Sequence, residues 1–503
     1  MKKFKLVSLC LSMLVCGALS SCSNDDGNND GAPTETTNED DNISTLPVLF
    51  GNEKGNQEVE VTKDITIRKG TYLLKGWCYI TEGTTVTIEA GTIIRGDKDT
   101  KAALIVERGG KLIAKGTKDA PIIMTSEMKK GLRKPGDWGG LIVCGKAKTN
   151  QNEQQIEGGP RTKHGGTDDA DNSGVYQYIR VEFAGYPFKA DQEINGITFG
   201  SVGSGTTIDH LQVSYSNDDS FEWFGGTVNC KYLVAYHGWD DDFDTDNGFS
   251  GNVQYCLGIR HPKIADQSQS NGFESDNDAD GDTKTPRTKA KFSNVTFIGP
   301  MGQDAAFANT KDYITGGDIY PNNGSGLGLF QAAMQIRRNS NLSCYNSLAV
   351  GYPIGIMLDN EKGNTQGDAT NGELELKKLW FANMGILGSD ANKLYKDKLV
   401  TGYETVDGKK NPVIDESKES FSASFFKKAG NNNEVKELAA LKLTKASSTK
   451  ITANYLPASD SPLVTGGDSS LPGGASYIGA FSGPNDNWME GWTNFDPQNT
   501  SYQ

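Results

Sequence analysis

Short runs of alternating apolar and polar residues, separated by glycine turns, recur along most of the chain. The run Val86–Gly96 is followed by a similar run, Leu104–Gly116. Phe221, Phe243 and Phe273 each begin one shared motif, with spacings of about 22 and about 30 residues. Strand side chains alternate between two faces, and few helical stretches intervene. This pattern predicts an all-β fold, a right-handed parallel β-helix with loop insertions and a small helical or irregular C-terminal element.

Stacked coils would place equivalent residues in columns about 4.8 Å apart. The predicted inward column fills the core of the solenoid. Its members are Phe221, Phe243, Phe273 and Ile356. A second column predicts an asparagine ladder at a turn. Its members are Asn247, Asn277 and Asn360.

The residues between the inward positions predict two outward columns that are rich in carboxylates. One column reads Glu222, Asp244, Glu274, Gln335, Met357, and the other reads Phe224, Asp246, Asp276, Arg337, Asp359. Stacked like charges bind a cation, pair with an arginine or keep a proton. Three interpretations therefore stay open: a Ca²⁺ site, a catalytic acid pair for glycoside hydrolysis, or a solvated acidic face.

The catalytic candidates among these residues are Arg337, Asp244 and Glu274. A polysaccharide lyase needs a base beside a cation that neutralises the uronate carboxylate. Arg337 stands in the same column as the acids and could supply that base. Its alternative role is a salt bridge that neutralises the column.

The run from Asp276 to Asp282 matches the first half of an EF-hand loop, because its carboxylates alternate before Gly281. The twelfth position is Arg287 instead of glutamate, so the segment is not an EF-hand. It is a candidate calcium-binding turn between coils, with a solvated loop as the alternative. The predicted metal ligands are Asp276, Asp278, Asp280, Asp282 and Asp246.

Four aromatic residues are candidate ligand-binding residues, because apolar ring faces stack on pyranose rings. Trp239 directly precedes the acidic run Asp240–Asp246, and Tyr313, Tyr320 and Phe330 lie in the glycine-rich insert 299–333. Long loops on a scaffold often carry function. The alternative is that these rings anchor the loop.

The N-terminus predicts export. Three lysines precede an apolar stretch, Leu6–Leu19, that is too short to span a bilayer. Small residues then precede Cys22, which resembles the lipobox of bacterial lipoproteins; an ordinary secretory signal peptide is the alternative. Acylation of Cys22 would anchor the protein to a membrane. The following acidic segment has the composition of a flexible tether.

The predicted organisation has five parts. They are a signal peptide (1–21), a tether (22–45), the β-helix (46–390), a partly helical insertion or cap (391–450) and a C-terminal segment that packs back on the coils (451–503). Within the cap, the pattern of Glu434–Leu443 predicts a helix. Five scattered cysteines follow Cys22 and predict buried free thiols instead of disulfides. The net charge of −14 argues against a nucleic-acid partner.

Several runs resemble a largely uncharacterised family of secreted Bacteroidetes proteins with a pectate-lyase-like β-helix. The runs are TVTIEAGTIIRG, ALIVERGGKLIAKGTKDAPIIMTS, WGGLIVCGKA and DDSFEWFGGTVNCKYLVAYHGWDDDFD. The resemblance implies an outer-membrane lipoprotein of the cell envelope, exposed on the surface, that binds an extended polysaccharide. Two alternatives stay open: an enzyme, either a Ca²⁺-dependent polysaccharide lyase or a glycoside hydrolase, and a structural or adhesive surface protein.

Overall fold

The alternating runs form two long sheets of parallel strands that wind around one core. A computed structural model describes residues 45–51, 58–189, 192–446 and 450–502. Cys22, the signal peptide and nearly all of the tether lie outside these residues. Within them the architecture is the predicted parallel β-helix, so the fold-class prediction is confirmed.

Sheet 2 has eleven strands in chain order within the described ranges, and its outward face carries the candidate site. Its strands are Glu58–Val61, Trp77–Ile80, Ala103–Val106, Gly140–Cys144, Ile197–Gly200, Phe221–Phe224, Phe243–Asp246, Phe273–Ser275, Ala332–Ile336, Ile354–Leu358 and Ile386–Ser389.

Sheet 1 has seventeen strands in the described residues and completes each coil. Its strands are Val48–Phe50, Ile65–Ile67, Thr71–Leu74, Thr85–Ile88, Ile93–Gly96, Lys111–Lys115, Ile122–Ser126, Gly174–Glu182, Thr207–Ser214, Cys230–Tyr236, Asn252–Ile259, Lys291–Ile298, Ser343–Tyr345, Leu348–Val350, Leu376–Lys377, Trp380–Ala382 and Glu434–Lys436.

Antiparallel hairpins and short helices decorate the coils. The hairpins are Gln154–Gln155 with Lys163–His164, Pro187–Lys189 with Gln192–Glu193, Leu399–Val406 with Lys409–Asp415, and Leu443–Thr444 with Leu456–Pro457. The α-helices are Pro300–Gln303, Thr365–Asn371 and Phe421–Phe426, and the 3₁₀ turns are Gly317–Ile319, Leu438–Leu441, Pro462–Thr465 and Pro497–Asn499. No helix in the described part of the chain is long and apolar enough to cross a membrane.

The predicted inward column is confirmed. Phe221, Phe243 and Phe273 occupy equivalent positions on consecutive strands and are fully buried. The rings of Phe221 and Phe243 stack with centroids 5.6 Å apart. Met334 and Ile356 continue the same column. One apolar residue per coil therefore builds a continuous core.

The five cysteines after Cys22 are free and buried, as predicted. Cys230 pairs in register with Val253, three positions before Cys256. That offset is roughly 10 Å along the strand, which is too far for a disulfide.

Two predictions about local structure are wrong. Of the proposed asparagine ladder, only Asn247 adopts a left-handed backbone, because the turns after the three strands differ in length and partners. The segment Glu434–Leu443 had a helical pattern. It instead forms a strand that pairs with Trp380–Ala382, followed by a 3₁₀ turn, because an open sheet edge is available there.

The C-terminal segment packs against the outer side of sheet 1. Trp492 and Phe481 are buried with Leu257 and Ile259 of that sheet in a second apolar cluster. The Arg133 guanidinium donates to the carbonyl oxygens of Pro497 and Thr500 at 2.6 and 2.8 Å. The outward face of sheet 1 is therefore partly covered.

Candidate functional site

The outward face of sheet 2 carries the predicted column of carboxylates. Strand register aligns Thr198, Glu222, Asp244, Glu274 and Gln335 on consecutive strands. Because Phe243 and Thr245 are buried in the core, the alternate residues of that strand point outward. Three carboxylates therefore stand on adjacent strands, about 4.8 Å apart.

Turn residues extend this column into what we call the acidic cluster. Oxygen atoms of Asp219, Glu222 and Asp244 all lie within 4.8 Å of one another, and so do those of Asp218, Asp219 and Asp240. The Asn195 side-chain amide, which is 1% exposed, donates to Glu222. The acidic cluster thus gathers oxygen ligands from two consecutive coils.

Burial and mutual repulsion weaken the acids of this face. Four of these acids have a pKa well above the usual range: Asp219, Glu222, Asp240 and Asp244. Burial is the main cause of the shift, and repulsion by neighbouring carboxylates is the second. The same causes raise the pKa of Asp246 to about 8. One buried oxygen each of Asp240 and Asp244 has no hydrogen-bond partner in the described protein. Such carboxyl groups hold a proton or a cation at neutral pH.

Arginines neutralise the other half of the face. The Arg337 guanidinium pairs with Glu274 and, at 2.9 Å, with Asp276. Arg338 pairs with Asp276 at 2.5 Å. These carboxylates raise the pKa of Arg337 well above its usual value, against the effect of burial. A base needs the opposite shift, so the geometry favours the salt-bridge role for Arg337, and catalysis by Arg337, Asp244 and Glu274 stays a prediction.

The predicted calcium turn does not bring its carboxylates to one point. Asp276 is occupied by the two arginines, and Lys284 lies 3.5 Å from both Asp278 and Asp282. Asp278 Oδ1 also accepts the backbone N–H groups of Asp280 and Asp282 at 2.9 and 3.1 Å. Cations and amides of the chain itself therefore pair with Asp276, Asp278 and Asp282. The sets of carboxylates that converge lie in the acidic cluster.

Two of the four aromatic predictions are wrong. Trp239 and Phe330 are fully buried and cannot offer a ring face to a sugar. The insert 299–333 folds over them: Trp239 Nε1 donates to the Gly326 carbonyl at 3.1 Å. Tyr320 is 42% exposed and stacks near Trp239, and Tyr313 is partly exposed against Phe307. Neither tyrosine lines the cleft described next.

A polar cleft of about 680 Å³ adjoins the acidic cluster. The hairpin Gln154–His164 forms one wall, and the turn that carries Asp278 and Asp280 forms the other. Its lining includes Gln151, Gln155, Glu157, His164, Asp246, Asp280 and Lys284. Glu157 is close enough to raise the pKa of Glu222. Asp246, which lines the cleft, stands two residues from Asp244 on one strand, so the polar cleft lies beside the acidic cluster.

Sequence reasoning missed the hairpin wall and His164. His164 is buried, its Nδ1 lies 2.8 Å from Ser201 Oγ, and burial lowers its pKa to about 4. Its Nε2 has no hydrogen-bond partner in the described protein. The glutamine-rich insert QNEQQIEGG lacks strand alternation, which is the signal that could have drawn attention to this wall.

The pKa of Asp246 predicts a pH-dependent stability. Between about pH 4 and about pH 8 the folded state keeps a proton that the unfolded state has released, so the free energy of unfolding falls as pH rises. In chelator, the melting temperature of Asp246→Asn should therefore fall less steeply with pH than that of the wild type. Calorimetry across this interval measures both slopes, and equal slopes would contradict the assignment.

Replacing Arg337 tests its role as a neutralising group. Arg337→Gln leaves Glu274 and Asp276 without their principal cation, and the side chains of the three residues are at most 15% exposed. The free energy of unfolding should fall by roughly 3 kcal/mol, as for other broken buried pairs. The control is Arg68→Gln, because Arg68 is 78% exposed in its pair with Glu89. That change should cost about 1 kcal/mol or less in urea unfolding, and equal losses would refute the neutralising role.

Comparison with known proteins agrees with this architecture. A family model described as a pectate-lyase-like β-helix domain matches residues 59–440, which is well over half of the chain. No curated protein and no solved structure gives a significant match. The chain therefore belongs to the family of proteins with a pectate-lyase-like β-helix domain.

Proposed function

We propose that the protein binds an extended polysaccharide along the outward face of sheet 2, with a divalent cation, Ca²⁺, held by the acidic cluster. The observation that carries this proposal is that the polar cleft lies beside converging carboxylates, since Asp246 lines the cleft two residues from Asp244. We further propose that acylation at Cys22 anchors the protein to the outer membrane and displays it at the cell surface. Metabolic labelling with a fatty-acid analogue tests the anchor, and a Cys22→Ala variant that still takes up label would contradict it.

The chemistry of the polar cleft suits a sugar chain better than an apolar ligand. Its lining offers amide groups from Gln151 and Gln155, carboxyl groups from Asp246 and Asp280, and the Lys284 ammonium group. Together these groups both donate and accept hydrogen bonds, as sugar hydroxyls require.

The charge of the face restricts the ligand further. A polyuronate would be repelled by the acidic cluster unless a cation lay between the two sets of carboxylates. Ca²⁺ prefers six to eight oxygen ligands in a flexible shell, which carboxylates from several coils and from a sugar can supply together. A neutral polysaccharide would need no such bridge. The calcium dependence of binding therefore distinguishes the two ligand classes.

A Ca²⁺-dependent polysaccharide lyase is the second candidate. The observation that favours it is His164, an imidazole at the cleft whose Nε2 has no protein partner and which burial keeps neutral. A neutral imidazole can accept a proton, whereas the ion-paired Arg337 cannot. A cation in the acidic cluster would neutralise the uronate carboxylate next to the carbon that loses the proton.

Calcium should stabilise the protein through the acidic cluster. At a concentration one hundred times its Kd, the ion should add about 2.7 kcal/mol to the free energy of unfolding. Asp219→Asn should abolish this response because Asp219 belongs to both converging sets of carboxylates. Thermal unfolding with Ca²⁺ or chelator measures it. The matched control is Asp282→Asn in the predicted calcium turn, and loss of the response in that variant instead would move the site to the turn.

Polysaccharide binding should depend on the polar cleft. On a glycan array followed by calorimetry, Asp280→Ala should weaken binding by about tenfold, because it removes an exposed acceptor. The control is Glu416→Gln, because Glu416 follows the strand Lys409–Asp415, pairs with Lys396 and does not line the cleft; this variant should bind as the wild type does. An array without signal, with and without Ca²⁺, would refute the binding proposal. Formation of unsaturated products that absorb ultraviolet light, and their loss in His164→Ala, would instead establish the lyase.

A further inference from the structure

A second pocket, of about 490 Å³, lies on the outward face of sheet 1. Six side chains from three consecutive strands and the turns before them line it, and the turn Pro472–Gly473 closes one side. The six are Asn229, Lys231, Asn252, Gln254, Lys291 and Ser293. We call it the sheet 1 pocket. It belongs to a different sheet from the polar cleft and shares no lining residue with it.

The coil repeat builds this pocket. Cys230, Val253 and Phe292 are buried in the core, so the residues on either side of each point outward. Register aligns Lys231 with Gln254 and Gln254 with Ser293, and it aligns Asn252 with Lys291. The two lysines are thus two strands apart, roughly 10 Å across the sheet and roughly 7 Å along it. Their flexible side chains can converge on one ligand group.

The floor and rim of the pocket are held in place. Gln254 and Ser293 are 7% and 5% exposed, and Gln254 Nε2 donates to the Gly473 carbonyl at 2.8 Å. A Cβ atom on Gly473 would lie 2.5 Å from Ser293 Oγ, so only glycine permits this close approach. Asn229 Oδ1 accepts two N–H groups of Asn252, at 3.0 and 2.6 Å. The Asn229 amide nitrogen keeps its donors for a ligand.

The charge of the sheet 1 pocket is opposite to that of the protein. No residue that lines it is acidic, although the chain has a net charge of −14. Neither lysine forms an ion pair within the described residues. Two acids flank the pocket: Asp209 lies in register beside Lys231 on the preceding strand and contacts His210, and Glu375 pairs with Lys377 at 2.6 Å. Two ammonium groups and an amide therefore line a pocket whose own lining carries no negative charge.

We propose that the sheet 1 pocket binds the anionic group of an acidic sugar, a sulfate or a carboxylate, between Lys231 and Lys291. The ammonium groups supply charge-assisted hydrogen bonds to the oxyanion. The Asn229 amide donates to the same group, and Gln254 and Ser293 contact sugar hydroxyls. The ligand class is therefore a glycan with fixed negative charges, and binding here requires no cation.

Calorimetry with three oligosaccharides tests the proposal on the full mature chain, in chelator. The probes are a chondroitin sulfate hexasaccharide, its desulfated form, which retains carboxylates, and neutral maltohexaose. Chondroitin sulfate or its desulfated form should bind, and maltohexaose should not. The stronger of the two acidic probes identifies sulfate or carboxylate as the preferred group. Binding of maltohexaose with equal affinity would overturn the proposal, and so would failure of both acidic probes to bind.

Two double variants distinguish specific binding in the sheet 1 pocket from nonspecific attraction of an acidic glycan to surface lysines. The double variant Lys231→Gln, Lys291→Gln should lose at least about tenfold in affinity. The charge-matched control is Lys289→Gln, Lys442→Gln, because these lysines already pair with Glu373 and Asp460. Equal losses in both double variants would show nonspecific attraction and overturn the assignment.

Asn229→Asp provides a test in which the fold is preserved. The aspartate keeps the acceptor for Asn252 but places a negative charge in the pocket, so binding should be lost while the melting temperature stays unchanged. Asp219→Asn on sheet 2 should leave this binding intact. Failure of the sheet 1 pocket and failure of the polysaccharide proposal for sheet 2 are therefore distinguishable.

Discussion

Parallel stacking in register is the constraint on which the rest of this structure depends. Each coil places its residues about 4.8 Å from the equivalent residues of the next. For apolar positions this stabilises the fold, because Phe221, Phe243 and Phe273 pack as one column inside the solenoid. For charged positions the same geometry forces like charges together, as it does for Glu222, Asp244 and Glu274.

The protein resolves that repulsion in two ways on one face. Toward the C-terminal coils, Arg337 and Arg338 neutralise Glu274 and Asp276 with groups of the chain itself. Toward the preceding coils no arginine stands in the column, and turn carboxylates such as Asp219 add to the charge instead. The raised pKa values of these acids follow from burial without a compensating cation. This half of the face is consequently where an external cation would stabilise the protein most.

The outward faces of the two sheets differ in charge, because stacking in register places similar side chains next to one another on each face. On sheet 2 the outward positions of consecutive coils are acidic, whereas on sheet 1 they combine lysine and amide side chains around Lys231 and Lys291. In a solenoid, equivalent outward positions recur at a fixed spacing on consecutive coils, so a few residues of one charge type create an extended surface with that charge. Such surfaces suit extended ligands, which present their own groups at regular intervals.

The sequence by itself determined the fold class, the inward column and the two outward columns. Alternation along a strand and the recurrence of one motif are local signals, and together they set which residues share a column. The free cysteines followed from the same register, since Cys230 and Cys256 are three positions apart along the strand.

Only the tertiary structure decided which of these residues form a site. Trp239 and Phe330 became buried because the insert 299–333 folds over them. Arginines from the next coil pair with Asp276, and Lys284 pairs with Asp278, so groups of the chain itself neutralise these two carboxylates of the predicted calcium turn. The direction of turns and inserts depends on packing between segments far apart in sequence. Strand alternation carries no information about that packing, which is why the hairpin beside His164 and the convergence at Asp219 were decided by the folded chain alone.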